Sequence, residues 1–392
     1  MKKKIEIGTV IFIVIVAVVL ACLATYMYLT SMMPSLVTKE NFYDRITEVN
    51  KTIEQRYVGE ADTDAAMDSL LTGYVSAIDK YSTYLSEEEY ASYTSQMNGK
   101  YSGAGITVKY ISATGLLKII NVKSNSPAAQ ADIEIGDIIF KIGDRNVEEM
   151  SYEEAINLLR AENGTVISLS LLRGEQELEK SVTIGEYVTS SVEYEMIESD
   201  VGYVAISEFD NTTFDDFKKA VESLENDGAA QFIFDVRNNT GGSLTSVVNI
   251  LDFLLPEGTL VTLKDNAGKE TVHSSDANSF SKKYAVLING FTYSGGELFA
   301  AAVRDFKAGT LVGETTYGKG YAQEIIPLSR GALYLSTKMY YPPNGENYDG
   351  IGVSPDVEAK LSAQLEDRFY ELDYKEDTQI IAALNALGKQ VA

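Results

Sequence analysis

The sequence predicts an α+β protein of several domains, with a helical N-terminal part, a small β-rich domain and an α/β core. Three observations carry this prediction: a long apolar run near the start, short strand patterns after residue 100, and strands alternating with amphipathic helices after residue 190. The 392 residues suffice for two or three domains, and a hydrophobic content of 45% is typical of folded proteins. We therefore expect folded domains rather than disorder.

The N-terminal apolar run predicts a membrane anchor. Lysines at positions 2–4 precede an uncharged run from Ile7 to Leu29, long enough as a helix to cross roughly 30 Å of hydrocarbon. A transmembrane helix is thus expected over 7–29, with residues 1–6 in the cytoplasm and the rest of the chain outside it, in a single-pass protein of the cell membrane. A cleaved signal peptide, or a lipoprotein cleavage site at Cys22, remains an alternative.

Residues 38–98 are predicted to form a small helical segment. Apolar residues such as Phe42, Ile46 and Val49 recur at spacings of three and four. Ser86 and Glu89 have the spacing of a capping box, which predicts the start of the last helix.

Residues 100–186 change to short strands with one helix, which Ser151 and Glu154 begin as a second capping box. The run Ser126-Pro-Ala-Ala-Gln-Ala-Asp-Ile133, followed by Ile135-Gly-Asp-Ile-Ile, resembles a bacterial PDZ domain. The resemblance implies a groove between a strand and the helix, in which a chain terminus adds as an extra strand.

The PDZ resemblance also implies which residues bind the peptide. The backbone N–H groups of a loop would hold the terminal carboxylate, and apolar helix residues would select the last side chain. The loop residues are Gly103, Ala104, Gly105 and Ile106, and the helix residues are Ile156 and Leu159. The alternative for Ile156 and Leu159 is that both belong to the hydrophobic core.

Residues 190–360 are predicted to form an α/β layer, followed by a short, charged helical tail over 361–392. The buried strand 231–236 leads into a Gly241-Gly242 turn, and the strand 285–288 leads towards Ser294. In such layers the functional site lies at the loops that leave the strands. Both the glycine pair and Ser294 are expected there.

Scarce residue types exclude several kinds of site. The net charge of −24 opposes binding to nucleic acid, and the single cysteine, Cys22, excludes disulfide and thiolate metal sites. No metal ion or cofactor is expected. The single histidine, His273, lies in a polar stretch interpreted as a loop and is kept as an alternative catalytic base.

Ser294 and Lys319 are the candidate catalytic residues. Ser294 stands at the head of a helical pattern, so its hydroxyl is expected to project from a tight connection, and Lys319 follows between two glycines. A lysine serves as base only when neutral, so burial must lower its pKa from about 10.4 to roughly 7 to 8. The oxyanion donors are expected to be the N–H of Gly295 and that of Gly241 or Gly242.

Together these motifs resemble the carboxyl-terminal processing proteases, also called tail-specific proteases, over nearly everything after the apolar run. The resemblance implies a crotonase/ClpP-like α/β serine protease core with Ser294 as nucleophile, Lys319 as general base and Gln323 as the supporting residue. The sequence departs from the family around Ser294 and at Thr240, where the family has a proline. The motifs that carry the resemblance are Tyr81-Ser-Thr-Tyr-Leu85, Gly103-Ala-Gly-Ile106, Asp235-Val-Arg-Asn-Asn-Thr-Gly-Gly242, Ser294-Gly-Gly-Glu297 and Gly313-Glu-Thr-Thr-Tyr-Gly-Lys-Gly-Tyr-Ala-Gln323.

The resemblance predicts a membrane-anchored serine endopeptidase that cleaves extracytoplasmic proteins at or near their C-termini. Its PDZ domain would bind the substrate tail or gate the site. The expected partners are protein or peptide substrates and, through the N-terminal helix, the membrane; a homo-oligomer is left open. The alternative is a non-catalytic scaffold that binds peptide tails and keeps an inactive protease fold.

Overall fold

The computed structural model describes residues 7–32 and 40–389. The chain divides between Leu70 and Leu71 into two compact units. The first unit contains helices α1 (Ile7–Met32) and α2 (Glu40–Arg56).

The apolar run near the N-terminus forms a helix, α1, as predicted, but the predicted transmembrane helix over 7–29 is wrong. Across the described part of the chain, no helix is both long and apolar enough to pass through a membrane. The expected cellular location stays a prediction.

Three elements lead to the β-rich domain: α3 (Thr63–Ser76), β1 (Thr83–Leu85) and α4 (Glu87–Gln96). The capping box of Ser86 and Glu89 at the start of α4 is confirmed. This segment also contains a strand, β1, which was not predicted from the sequence and which pairs antiparallel with residues 332–334 of the α/β core. A pairing partner so far along the chain leaves no local periodic pattern.

The β-rich domain is built on a sheet in the order β3-β4-β5-β7-β8, so β3 lies at its edge. Its helix α6 begins at the predicted capping box of Ser151 and Glu154. The domain has its own hydrophobic core, which contains Ile119, Ile139 and Leu169. Its elements are β2 (Lys100–Gly103), β3 (Ile106–Ile111), β4 (Leu116–Val122), α5 (Pro127–Gln130), β5 (Ile138–Ile142), β6 (Arg145–Asn146), a 3₁₀ turn (Val147–Glu149), α6 (Tyr152–Leu159), β7 (Val166–Arg173), β8 (Gln176–Thr183) and β9 (Gly185–Val188).

The α/β core alternates strands and helices, as the sequence predicts. Its elements are β10 (Val192–Glu198), β11 (Val201–Ile206), α7 (Thr213–Asn226), β12 (Gln231–Asp235), α8 (Leu244–Leu254), β13 (Gly258–Asp265), β14 (Glu270–Ser275), β15 (Lys283–Ile288), α9 (Gly295–Phe306), β16 (Thr310–Gly313), β17 (Tyr321–Pro327), β18 (Ala332–Tyr341) and β19 (Val357–Glu358). The C-terminal tail adds α10 (Ala363–Glu366), a 3₁₀ turn (Phe369–Glu371) and α11 (Thr378–Leu387).

The main sheet of the core is buried on both faces. Its order is β10-β11-β12-β15-β16-β19, with parallel pairing from β11 onward. Phe232 and Phe234 pack against α7, α8 and α9, whereas Ile233 between them packs against α11 on the other face. Burial on both faces explains the continuous apolar character of β12 in the sequence. The C-terminal tail therefore forms the third layer of the core.

The buried cation Arg237 joins α11 to the loop after β12. Its guanidinium lies 2.6 Å from Asp235 and 2.7 Å from Asp377, and at most 4% of any of these side chains is exposed. Asp377 is also the N-cap of α11, accepting hydrogen bonds from the N–H groups of Gln379 and Ile380. The two carboxylates together offset the free-energy cost of desolvating the Arg237 guanidinium. Removing either one leaves part of this buried charge uncompensated.

Replacing Asp377 should destabilise the core. Asp377→Ala removes a charge partner of Arg237 and the cap of α11, so we expect a loss of about 3 to 4 kcal/mol. Asp377→Asn keeps a capping side chain and should lose about 1 kcal/mol less. Urea denaturation measures both effects.

The matched control is Glu270→Ala, which breaks an exposed pair with Lys264 and should cost less than about 1 kcal/mol. Equal stability of Asp377→Ala and Glu270→Ala would contradict the role given to the buried pair.

Candidate active site

The three loops that carry the candidate catalytic residues meet at one edge of the main sheet. Strands β12, β15 and β16 are parallel neighbours. The loop after β12 carries Gly241 and Gly242, the loop after β15 carries Ser294, and the loop after β16 carries Lys319. Because the carboxyl ends of parallel strands meet at one edge, the fold brings these three loops to the same edge, as the sequence predicts for the glycine pair and Ser294.

Ser294 has a strained backbone at the start of α9. Its φ of 57° and ψ of −113° lie in a region that non-glycine residues rarely adopt, at a typical cost of about 1 to 3 kcal/mol. The residue is 7% exposed. Such strain persists only where surrounding contacts impose it, and it is common at functional sites.

The backbone of Gly241 lies directly against Ser294. A Cβ atom at position 241 would stand 2.8 Å from the N atom of Gly295 and 2.9 Å from Cβ of Ser294, and the φ of Gly241 is +89°. A side chain at this position would therefore collide with the serine. The glycine allows the loop after β12 to approach the start of α9.

The candidate oxyanion donors differ in whether they are free. The N–H of Gly241 donates to Oδ1 of Asn239 at 2.8 Å and is occupied. Gly242 forms an isolated parallel bridge with Phe209, in which Phe209 bonds to the residues on either side of Gly242 and the N–H of Gly242 takes no part. Within the described residues, the N–H groups of Gly242 and Gly295 have no hydrogen-bond partner. They are the pair available to stabilise an oxyanion.

Lys319 is buried among aromatic rings. It is 3% exposed, and its Nζ lies 4.9 Å from the ring centroid of Tyr81 and 4.7 Å from that of Tyr293. Burial lowers the pKa of Lys319 to about 8, although the charges of Asp79 and Glu297 favour the protonated form. A substantial fraction of this amine is therefore neutral near physiological pH.

The carboxylate of Glu297 connects the two candidate catalytic residues. It is fully buried and accepts hydrogen bonds from the N–H groups of Ser294 at 2.9 Å, Lys319 at 2.7 Å and Gly318 at 2.6 Å. The hydroxyl of Thr316 donates to it at 2.6 Å. Burial raises the pKa of Glu297, and these four donors oppose that shift. One side chain thus fixes the backbone at both residues.

Ser294 and Lys319 lie in loops at the same sheet edge, but their side chains are not joined by a hydrogen bond. In the described part of the chain, no hydrogen bond joins Oγ of Ser294 to Nζ of Lys319. Catalytic hydrogen bonds often tighten only when substrate binds. Direct proton transfer between the two side chains would therefore require them to approach each other when substrate binds.

Gln323 does not contact Lys319 through a hydrogen bond. Its Nε2 donates to Oγ of Ser336 at 3.0 Å and to the carbonyl of Tyr321 at 3.3 Å. The N–H of Ser336 donates in turn to Oγ of Ser82, beside β1. The predicted supporting role of Gln323 stays a prediction, and its observed contacts link β17 to β18.

His273 lies in strand β14, paired with Val261 of β13, so its interpretation as a loop residue is wrong. Strand β14 lies at the edge of its sheet and consists mostly of polar residues, a composition that is also typical of a loop. Among the described residues, His273 makes no hydrogen bond to Ser294.

The predicted PDZ residues divide into two groups. The N–H groups of Ala104 and Gly105 have no hydrogen-bond partner among the described residues, and β3, which follows them, is an edge strand. Ile156 is half-buried, whereas Leu159 is 6% exposed and packs in the domain core. Leu159 therefore serves packing, and the loop and Ile156 stay candidates for peptide binding.

Several residues around the site were not assigned from the sequence. The pairing of Ser294 with Glu297 has the Ser-x-x-Glu spacing of a capping box, so a signal for Glu297 was present. The contact of Tyr81 with Lys319 had no such signal, because it depends on the long-range pairing of β1. The same is true of Tyr348, whose hydroxyl donates to the carbonyl of Ser294 at 3.2 Å.

Family models match two parts of the chain. Residues 200–359 match peptidase family S41, and residues 118–173 match a PDZ domain. The chain contains a peptidase family S41 domain and a PDZ domain. It is a serine-type peptidase with a PDZ domain, and its predicted resemblance to the C-terminal processing proteases is confirmed. The multidomain fold with a PDZ domain and an S41 protease core is mixed α/β.

This S41 peptidase is similar over most of its length to named C-terminal processing proteases. It is 29% identical over 324 residues to the carboxy-terminal-processing protease of Bartonella bacilliformis, covering 80% of this chain and 74% of the relative. It is 28% identical over 371 residues to the carboxy-terminal processing protease CtpA of Bacillus subtilis, covering 92% and 78%.

Solved structures share the fold. A photosystem II D1 C-terminal processing protease aligns with a TM-score of 0.52 and 24% identity, covering 85% of this chain and 92% of its own. A Bacteroides fragilis protein described as an S41 protease aligns with a TM-score of 0.62 and 19% identity, covering 85% and 91%.

Replacing Glu297 should disable the S41 peptidase without removing a reacting group. In Glu297→Gln, an amide N–H₂ replaces one acceptor oxygen and faces a donor, so the backbone at Ser294 or Lys319 must shift. We expect kcat to fall about a hundredfold with little change in KM, because a displacement of about 1 Å at reacting groups has this effect. Steady-state cleavage of an unstructured polypeptide measures it.

Glu324→Gln is the control, since it makes the same chemical change at an exposed residue of strand β17. If the kcat of Glu297→Gln were within threefold of that of Glu324→Gln, a positioning role for Glu297 would be excluded.

Proposed function

We propose that this S41 peptidase is an endopeptidase that cleaves proteins at or near their C-termini with a Ser294/Lys319 catalytic dyad. The observation that carries the proposal is the buried amine of Lys319, whose pKa burial lowers to about 8, at the sheet edge that also presents Ser294. A neutral amine in a water-poor site is the base that a serine nucleophile needs when no histidine is at hand.

In the proposed reaction, Oγ of Ser294 attacks the carbonyl carbon of the scissile bond while its proton passes to the neutral Nζ of Lys319. The N–H groups of Gly242 and Gly295 stabilise the resulting oxyanion. The protonated Lys319 then gives the proton to the leaving amine, and an acyl-enzyme remains. Water attacks this ester with Lys319 again accepting a proton, which releases the new C-terminus and restores Ser294.

The space beside the site supports an extended substrate. A cavity of about 1200 Å³ is lined by Tyr293 and Tyr317 next to the site and by Lys109 and Ile120 of the PDZ domain. A tail that pairs with the edge strand β3 would enter this cavity from the PDZ side. The proposed preference for C-termini rests on this continuity and on the names of the similar proteases.

Removing either member of the dyad should abolish cleavage. For Ser294→Ala and Lys319→Ala we expect kcat to fall by at least about a thousandfold, because neither the nucleophile nor its base has a substitute nearby. Cleavage of an unstructured polypeptide by the purified protein measures both. His273→Ala is the control, and it should retain wild-type activity.

Equal cleavage by wild type, Ser294→Ala and Lys319→Ala would contradict the proposal that these two residues form the catalytic dyad. Loss of activity in His273→Ala alone would point to a histidine base instead.

Activity should rise with pH as Lys319 loses its proton. The base acts in its neutral form and burial lowers its pKa to about 8, so kcat/KM should increase from pH 6 and reach half its plateau near pH 8. A pH profile on a substrate without titratable side chains measures this. A profile that is flat from pH 6 to 10, or that falls over this range, would exclude a lysine base.

A further inference from the structure

The cations that line the cavity beside the site differ in whether they form an ion pair. The cationic side chains among the described lining residues are Lys80, Lys109, Lys360 and Arg368. Lys109 pairs with Asp367 at 2.6 Å, Lys360 with Glu358 at 3.3 Å, and Arg368 with Glu376 at 3.4 Å. No described carboxylate forms an ion pair with Lys80, so its charge is available to a ligand.

Aromatic rings hold Lys80 at the cavity wall. Its Nζ lies 4.8 Å from the ring centroid of Tyr81 and 5.3 Å from that of Tyr317. The residue is exposed, so the ammonium is not withdrawn from solvent. Ring faces attract an ammonium and orient it, but they leave its positive charge uncompensated. A carboxylate entering the cavity therefore finds an ordered cation.

The ring of Tyr81 also fixes how far Lys80 lies from the reaction. Nζ of Lys319 and Nζ of Lys80 are 4.9 Å and 4.8 Å from the same ring centroid. The two amines are thus no more than about 10 Å apart, the length of about three residues of extended chain. Since Lys319 must reach Ser294, a carboxylate held by Lys80 belongs to a residue near the scissile bond.

Acidic residues that line the rest of the cavity disfavour binding of a carboxylate there. Glu314, Glu366 and Glu371 line it together with the paired cations, and the whole chain carries a net charge of −24. Like charges disfavour a carboxylate at these places, whereas Lys80 attracts it. The position of a substrate carboxylate in the cavity is therefore restricted.

We propose that Lys80 binds a carboxylate of the substrate within about three residues of the scissile bond, supplied by the free C-terminus or by an Asp or Glu side chain. The inference rests on the proposed function, because it places substrate in the cavity beside Ser294. It assigns Lys80 as a specificity-determining residue, which would add to the selection expected of the PDZ domain.

The test compares peptide binding by Ser294→Ala protein with and without the further change Lys80→Met. One peptide pair differs in a free or amidated C-terminus, and a second, amidated pair carries Glu or Gln near that end. Fluorescence anisotropy gives the ratio of Kd within each pair. Because the PDZ loop is also expected to select a free terminus, the readout is the change in each ratio when Lys80 is replaced.

We expect Lys80→Met to reduce at least one ratio by about fivefold, as loss of an accessible ion pair implies. Lys80→Arg should preserve both ratios. Lys360→Met is the matched control, since it removes a paired cation from the same cavity, and it should also preserve both. A fall in the first ratio identifies the chain terminus as the ligand, and a fall in the second identifies an acidic side chain.

Unchanged ratios in Lys80→Met, or an equal fall in Lys360→Met, would overturn the proposal. The binding assay needs no turnover, so it decides the role of Lys80 even if the wild type cleaves none of the peptides. That separate result would refute the proposed function instead.

Discussion

The buried carboxylate of Glu297 is the interaction on which the rest of the site depends. It accepts N–H groups from Ser294 and from Lys319, which follow two different strands of the sheet. A buried carboxylate is stable only while its donors are all in place, since each lost hydrogen bond leaves charge without compensation. The four donors therefore hold the two loops in one arrangement, and they impose the strained backbone of Ser294 that an isolated turn would relax.

The chemistry of Lys319 depends on a segment far from it in sequence. Tyr81, one of the two rings over its amine, is held by Asp79, whose carboxylate accepts the N–H groups of Tyr81 and Ser82. The next residues form β1 and pair with β18. Without this pairing water would reach the amine, and the desolvation that lowers its pKa would be lost. The segment before the PDZ domain is thus part of the catalytic machinery.

The sequence predicted those features that have local signals. Capping boxes at Ser86 and Ser151 mark helix starts in three or four residues, and the alternation of apolar strands with amphipathic helices placed the Gly241-Gly242 turn and Ser294 in the loops that leave the strands. The pairing of β1 with β18 and the packing of α11 on the sheet depend on partners far along the chain, which no local pattern encodes. The choice of Gly242 over Gly241 as donor depends on the side-chain direction of Asn239. The apolar run correctly predicted helix α1 but not its suitability to span a membrane.

The claim that Lys319 is a dry, partly neutral amine is tested most directly by titrating that amine itself. Lysines labelled with ¹³C at Cε report protonation by NMR, and comparison with Lys319→Arg assigns the resonance of Lys319. The structure predicts a midpoint near pH 8, because burial lowers the pKa to about 8. A midpoint near 10.4, the value of a solvated lysine, would contradict the account.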